Sequence, residues 1–224
     1  MQTYQKTKIN NLLGLGEFTT AEMFALQPNI GDILFNTTIQ SIVQFTNEGW
    51  KDLSGNPVLN RLLFEDFETD FANWVLVNDT LNYFIVGNAT AYKGLKSAYI
   101  TNNNLAAQYT NNQTQISHFY KDILLPNAAT IKLTFFWKAV GELNFDYGRI
   151  YVMPTTVTPQ ARVLPSSAYD VSGQLNNSQN WQKKEIDLSA YKNTTIRLVF
   201  TWRNDGSAGT NPAICFDNIL IEYL

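Results

Sequence analysis

The chain has 224 residues, 45% of them hydrophobic and 13% aromatic, with only 16% charged and a net charge of -3. That length supports a packed core in one or two domains, and the aromatic load favours sheets over helices. The charge supplies no basic face for phosphates, which excludes nucleic acid as the expected partner.

One cysteine (Cys215) and one histidine (His118) leave no disulfide framework and no histidine-rich metal site. Cys215 reads as a small buried apolar residue in the last strand. Nucleophilic catalysis has no support, and neither a nucleophile elbow nor a phosphate-cradling loop is present. The start, MQTYQKTKINNLLGLGEF, has no apolar core with a small-residue cleavage site, so no secretory signal is read there. No run reaches the roughly 18 apolar residues of a membrane span, and no membrane insertion is expected.

In chain order, residues 1–17 are polar and interrupted by Gly14 and Gly16, an expected N-terminal arm. Residues 18–57 form a small β-unit and linker. Within it, a helical turn over 19–24 takes Thr20 as its cap and faces Met23 inward. Strands over 32–36 (DILFN) and 41–45 (SIVQF) follow, with Asn47-Glu48-Gly49 as a tight turn and Ser54-Gly55-Asn56-Pro57 as the linker. A unit of this size, without cysteines or metal ligands, is expected to need oligomerisation or docking for support.

Residues 58–224 form the second domain. Period-two alternation is clean in Ile131–Ala139, with Ile131, Leu133, Phe135, Trp137 and Ala139 on one face, and in 196–203, with Ile196, Leu198, Phe200 and Trp202 on one face. Further strands are expected over Ser97–Thr101, 106–109, 116–124, 148–153 and 181–188, between turns rich in Asn, Gly and Pro. About ten short strands at this spacing read as an antiparallel sandwich or jelly roll. The ends of the domain, 61–74 (RLLFEDFETDFANW) and 213–224 (AICFDNILIEYL), both read as strands, and pairing them closes the sandwich and protects its edges. The fold class expected is therefore all-β, a small N-terminal β-unit followed by a jelly roll.

Glu65, Asp66 and Glu68 then face Asp217 across the paired ends. Three readings stand: a catalytic carboxylate pair, solvated acids with Asp217 capping a turn, or a structural calcium site with hard oxygen ligands. Catalysis fits least, because on a strand Asp66 and Glu68 share a face while Glu65 points away. Calcium on Glu65, Asp66, Glu68 and Asp217 is the expectation carried forward. Trp50, Trp74, Trp137, Trp181 and Trp202 read as core, with Trp181 the least secure because it follows an Asn/Ser-rich loop. Tyr92, Tyr169 and Trp181 are the candidate sugar-binding aromatics.

Two resemblances rest on these residues. The string 25–38 (ALQPNIGDILFNTT), followed by Val43-Gln44-Phe45 and Gly49-Trp50-Lys51-Asp52-Leu53, resembles a cassette of tailed-phage fibre and virion proteins. In the second domain, Phe64-Glu65-Asp66-Phe67-Glu68, Ser97-Ala98-Tyr99, Leu133-Thr134-Phe135-Phe136-Trp137, Tyr147-Gly148-Arg149-Ile150-Tyr151, 186–191 (IDLSAY) and Phe216-Asp217-Asn218-Ile219 stand in the order of the MAM-like, cleaved-adhesin or choice-of-anchor jelly rolls. The second resemblance implies a jelly roll, often with structural calcium and often in adhesion or glycan recognition. Together they imply a non-enzymatic virion appendage, a fibre or decoration protein. Its N-terminal region would bind other virion proteins, its assembly would be a homotrimer, and its jelly roll would bind a host-surface glycan. The alternative is a carbohydrate-binding or adhesion module of the bacterial cell surface, and a third reading is a glycan-active enzyme.

Overall fold

The computed structural model describes residues 15–224, which fall into two compact units: one up to Asn60, the other spanning Arg61–Tyr223. The arm expected over residues 1–17 lies outside the described residues except for its last three.

The first unit contains β1 (Glu17–Phe18), α1 (Thr20–Phe24), β2 (Ile33–Asn36), β3 (Ser41–Thr46) and β4 (Gly49–Asp52). Its four-stranded sheet runs β1-β2-β3-β4, parallel at β1-β2 and antiparallel elsewhere. The cap of α1 is Thr19 rather than Thr20. Thr19 Oγ1 accepts from the amide of Glu22, and the Glu22 carboxylate accepts in return from the amide of Thr19 at 2.8 Å. This reciprocal pair requires a glutamate three residues past the cap, which only Thr19 has. Met23 is buried with Leu34, Val43, Trp50 and Val58. The buried Asn36 side chain donates to Thr20 Oγ1 at 3.0 Å and accepts from the amide of Thr38 at 2.9 Å, tying the helix to the β2–β3 turn.

The second unit contains β5 (Asn60–Glu65), β6 (Val75–Val77), β7 (Tyr83–Gly87), β8 (Ser97–Thr101), β9 (Gln115–Leu124), β10 (Ile131–Ala139), β11 (Tyr147–Pro154), β12 (Ser178–Asp187), β13 (Thr195–Asn204) and β14 (Cys215–Tyr223). One sheet runs β12-β10-β14-β8-β7, with β5 also against β14, and the other runs β11-β13-β9-β6. The result is an all-β jelly-roll sandwich whose first and last strands pair. Inward positions of both sheets meet in one core of aromatic and β-branched side chains. Phe200 sits at its centre, stacked on Phe119 (4.8 Å, 7° between planes) and edge-on to Phe135 and Phe216. Truncating a ring packed on every side in this way costs about 3–5 kcal/mol.

In the second unit two strands went unread in the sequence, β6 and β7, as did β1 and β4 in the first, and one expected strand is absent. Residues 106–109 are irregular, because the Asn103 side chain accepts from the amides of Leu105 and Ala106 and closes a turn there. Trp50, Trp74 and Trp202 are buried as expected, whereas Trp137 and Trp181 are only partly covered.

Candidate functional site

The loop 88–96, between β7 and β8, organises the outer face of the β12-β10-β14-β8-β7 sheet. Phe135 points into the core, so its neighbour Phe136 points outward. Phe136 is the register partner of Asp217 on β14, so the two side chains share that outer face. Asp217 is fully buried there, because the loop lies over it. Its Oδ2 accepts from the amides of Tyr92 (2.7 Å) and Lys93 (3.2 Å), and its Oδ1 accepts from the amide of Asn218 at 2.7 Å. A second carboxylate holds the far end of the same loop: Glu68 Oε1 accepts from the amides of Leu95 (2.8 Å) and Lys96 (3.0 Å). The turn between them needs Gly94. Its φ is +76°, and a Cβ there would lie 2.2 Å from Glu68 Oε1.

These two acids titrate in opposite directions. The backbone amides of Lys96 and Leu95 hold Glu68 below its ordinary value. Burial pushes Asp217 up; its three amide partners oppose that, and the nearby charge of Glu68 adds to it. Among the described residues, no three of the four acids expected at one ion bring carboxylate oxygens within 4.8 Å of one another. Glu65 turns away, accepting from the Trp74 indole at 3.0 Å and from the amide of Phe67 at 3.0 Å, and Asp66 accepts from the amide of Glu68. Glu68 and Asp217 are the pair brought together, and Glu68 Oε2 takes no hydrogen bond among the described residues.

On the same face the loop carries Tyr92 onto Phe136, ring centroids 3.6 Å apart and planes 10° from parallel. Tyr92 is 43% exposed. Phe136 covers one face of that ring. Trp181 on β12 meets Tyr92 edge-on at 6.1 Å, and Lys138 Nζ lies 5.2 Å over the Trp181 ring. Two of the three candidate aromatics thus meet, with Tyr92 stacked on a ring the sequence reading did not single out. Tyr169 does not join them. It packs against Tyr151, Met153 and Val199 on the other sheet, beside a cavity of about 430 Å³ under the loop after β11.

A third arrangement had no signal in the sequence. Carboxylate oxygens of Glu142, Asp146 and Asp205 lie within 4.8 Å of one another. Asp146 is fully buried, accepts from the Tyr109 hydroxyl at 2.6 Å and from the amide of Asp205 at 3.0 Å, and is pushed up by burial. The lone histidine is structural in setting. His118 is fully buried, donates from Nε2 to the Gln160 carbonyl at 3.1 Å, and has Nδ1 2.8 Å from the Thr201 hydroxyl. Burial pushes its pKa down to about 4.

No family model matches the chain. Bacillopeptidase F of Bacillus subtilis (strain 168) is 28% identical over 162 residues, which are 70% of this chain and 10% of that protein. The chain thus spans about a tenth of the length of the curated relative it matches. Among solved structures, the K1 cleaved-adhesin domain of Lys-gingipain from Porphyromonas gingivalis W83 is 17% identical at a TM-score of 0.47, covering 72% of this chain and 98% of that one. The CBM22-1 xylan-binding domain of Paenibacillus barcinonensis Xyn10C is 15% identical at 0.44, covering 74% and 96%. The Stig cyclase Fisc from Fischerella sp. TAU is 12% identical at 0.48, covering 75% and 98%.

Proposed function

We propose that Arg61–Tyr223 is a non-catalytic glycan-binding module of the bacterial cell surface, used for adhesion. The observation that carries this reading is the Tyr92 ring, 43% exposed, held flat on Phe136 and met edge-on by Trp181. A pyranose presents a flat patch of C–H groups that such a ring covers, and a ring fixed in advance loses little entropy on binding. The likeness to one stretch of a much longer bacterial protein supports the reading of this unit as a module.

The lone histidine and the lone cysteine are poorly placed for catalysis. His118 is buried and neutral, and burial pushes the Cys215 thiol up to about 12. Glu68 and Asp217 are committed to the loop that presents Tyr92. Retention of the full chain on immobilised polysaccharides supports the proposal, and failure to bind any of a broad panel contradicts it.

A second reading, a virion fibre or decoration appendage, is favoured by the cassette in residues 25–53. Under it, residues 1–57 supply attachment to other virion proteins and trimer formation. Light scattering separates the two: a concentration-independent monomer counts against the appendage.

A structural calcium ion on Glu68 and Asp217 belongs to either reading. It would supply positive charge between two carboxylates that otherwise raise one another's cost of ionisation.

A further inference from the structure

We infer that the sugar bound beside Tyr92 is anionic, carrying a carboxylate or sulfate that reaches Lys138. This inference rests on the glycan-binding reading and narrows it to a substrate class. Lys138 stands where two features meet. Its Nζ lies over the Trp181 ring, and its side chain lines an open depression of about 490 Å³, whose other walls include Ala89, Thr90, Leu105, Gln179 and Pro212. That volume lies within the range of small-ligand sites.

Two other lysines of this face share one carboxylate. Lys183 pairs with Glu185 at 2.6 Å, and Lys132 reaches the same carboxylate at 3.6 Å. Lys138 has no carboxylate within 4.0 Å among the described residues. Its register partner across the sheet is Cys215, a buried thiol that stays neutral. The nearest register position holding an acid is Asp217, whose oxygens are turned to the amides of Tyr92, Lys93 and Asn218. The site therefore offers an aromatic platform, a depression, and in Lys138 a cation that lines the depression and lies over Trp181 beside the platform. A sugar lying on Tyr92 directs its ring substituents outward in the plane of the ring. A neutral sugar leaves the Lys138 charge unanswered, and a carboxylate or sulfate answers it with a charge-assisted hydrogen bond.

Titration calorimetry of the full chain with trigalacturonate, a sulfated galactose trisaccharide and a neutral galactose trisaccharide tests the inference. Wild type is expected to prefer at least one anionic ligand by about tenfold, and that preference is expected to shrink when salt rises from about 50 to about 500 mM. Lys138→Met, which keeps the apolar stem, is expected to lose the preference, its affinity for the anionic ligand falling to that for the neutral one. Lys183→Met, already paired in wild type, is expected to keep it. Equal affinity of wild type for all three ligands, or a preference that survives Lys138→Met, overturns the inference and leaves the glycan reading standing. Binding of none of the three overturns the inference, and the polysaccharide panel then decides the glycan reading. A thermal melt of Lys138→Met that matches wild type assigns any loss to the site rather than to the fold.

Discussion

The Tyr92 ring lies parallel to the Phe136 ring at 3.6 Å, although one comes from a loop and the other from the middle of β10. The loop is held from beneath by Asp217 and Glu68, so the tyrosine is positioned by hydrogen bonds as well as by stacking. Phe136 therefore packs against the loop rather than in the core. Phe136→Leu is expected to weaken glycan binding by about tenfold through loss of that positioning. Because Phe136 stands on the outer face, its melting temperature is expected to shift far less than that of Phe135→Leu. Equal effects of the two substitutions on melting would show that Phe136 is ordinary core.

The calcium proposal makes a prediction about the same loop. A cation bound only by the folded state stabilises it by mass action. Chelation is expected to lower the melting temperature, added calcium to restore it, and Asp217→Asn to remove the response. A melting curve indifferent to chelator and calcium would leave the amides of Tyr92, Lys93 and Asn218 as the whole support of Asp217.

Much of the frame was legible in the sequence. The alternation in β10 and β13 places Ile131, Leu133, Phe135, Ile196, Leu198, Phe200 and Trp202 in the core, and each is at least nine-tenths buried. The pairing of first and last strands was legible too, since closing a sandwich needs it. What the pattern hides is what covers an outer face. Arg197 reads as solvent-facing but is buried, because residues of the loop after β11 lie over it: Val157 and Thr158 accept from its guanidinium while Asp122 binds the other edge. The same limit hid Phe136 between Phe135 and Trp137, since its partner is fixed by a distant loop. Strand β6, three residues long with two of them exposed, is too short to show a period.

The buried pair Tyr109 and Asp146 is a test of local stability. Burial raises the pKa of Asp146, and the Tyr109 hydroxyl opposes that by donating at 2.6 Å. Tyr109→Phe leaves that oxygen without its donor, at an expected cost of about 1–3 kcal/mol. Urea denaturation near neutral pH measures it, and a change within error would mean that water replaces the hydroxyl. At neutral pH the raised pKa of Asp146 works against folding, so acidification through the region just above its ordinary value recovers part of the loss.

His118 sets a second pH dependence of opposite sign. Its folded pKa is depressed to about 4 from 6.5, so the unfolded chain binds the proton first. Its contribution is complete above about pH 6.5 and is lost as the pH falls toward about 4, by up to about 3 kcal/mol. His118→Gln removes this titration. The stability gap between wild type and variant is therefore expected to narrow between pH 7 and about 4.5. A gap that does not change with pH would contradict a neutral buried imidazole.

The most direct test of the central claim locates the bound sugar. Tyr92, Phe136, Lys138 and Trp181 are expected to carry the largest NMR shift changes when the isotope-labelled full chain is titrated with an oligosaccharide it retains. Shift changes confined to the opposite sheet, around Met153, Val163 and Tyr169, would contradict the account, because the ligand would then sit where the Tyr92 platform plays no part.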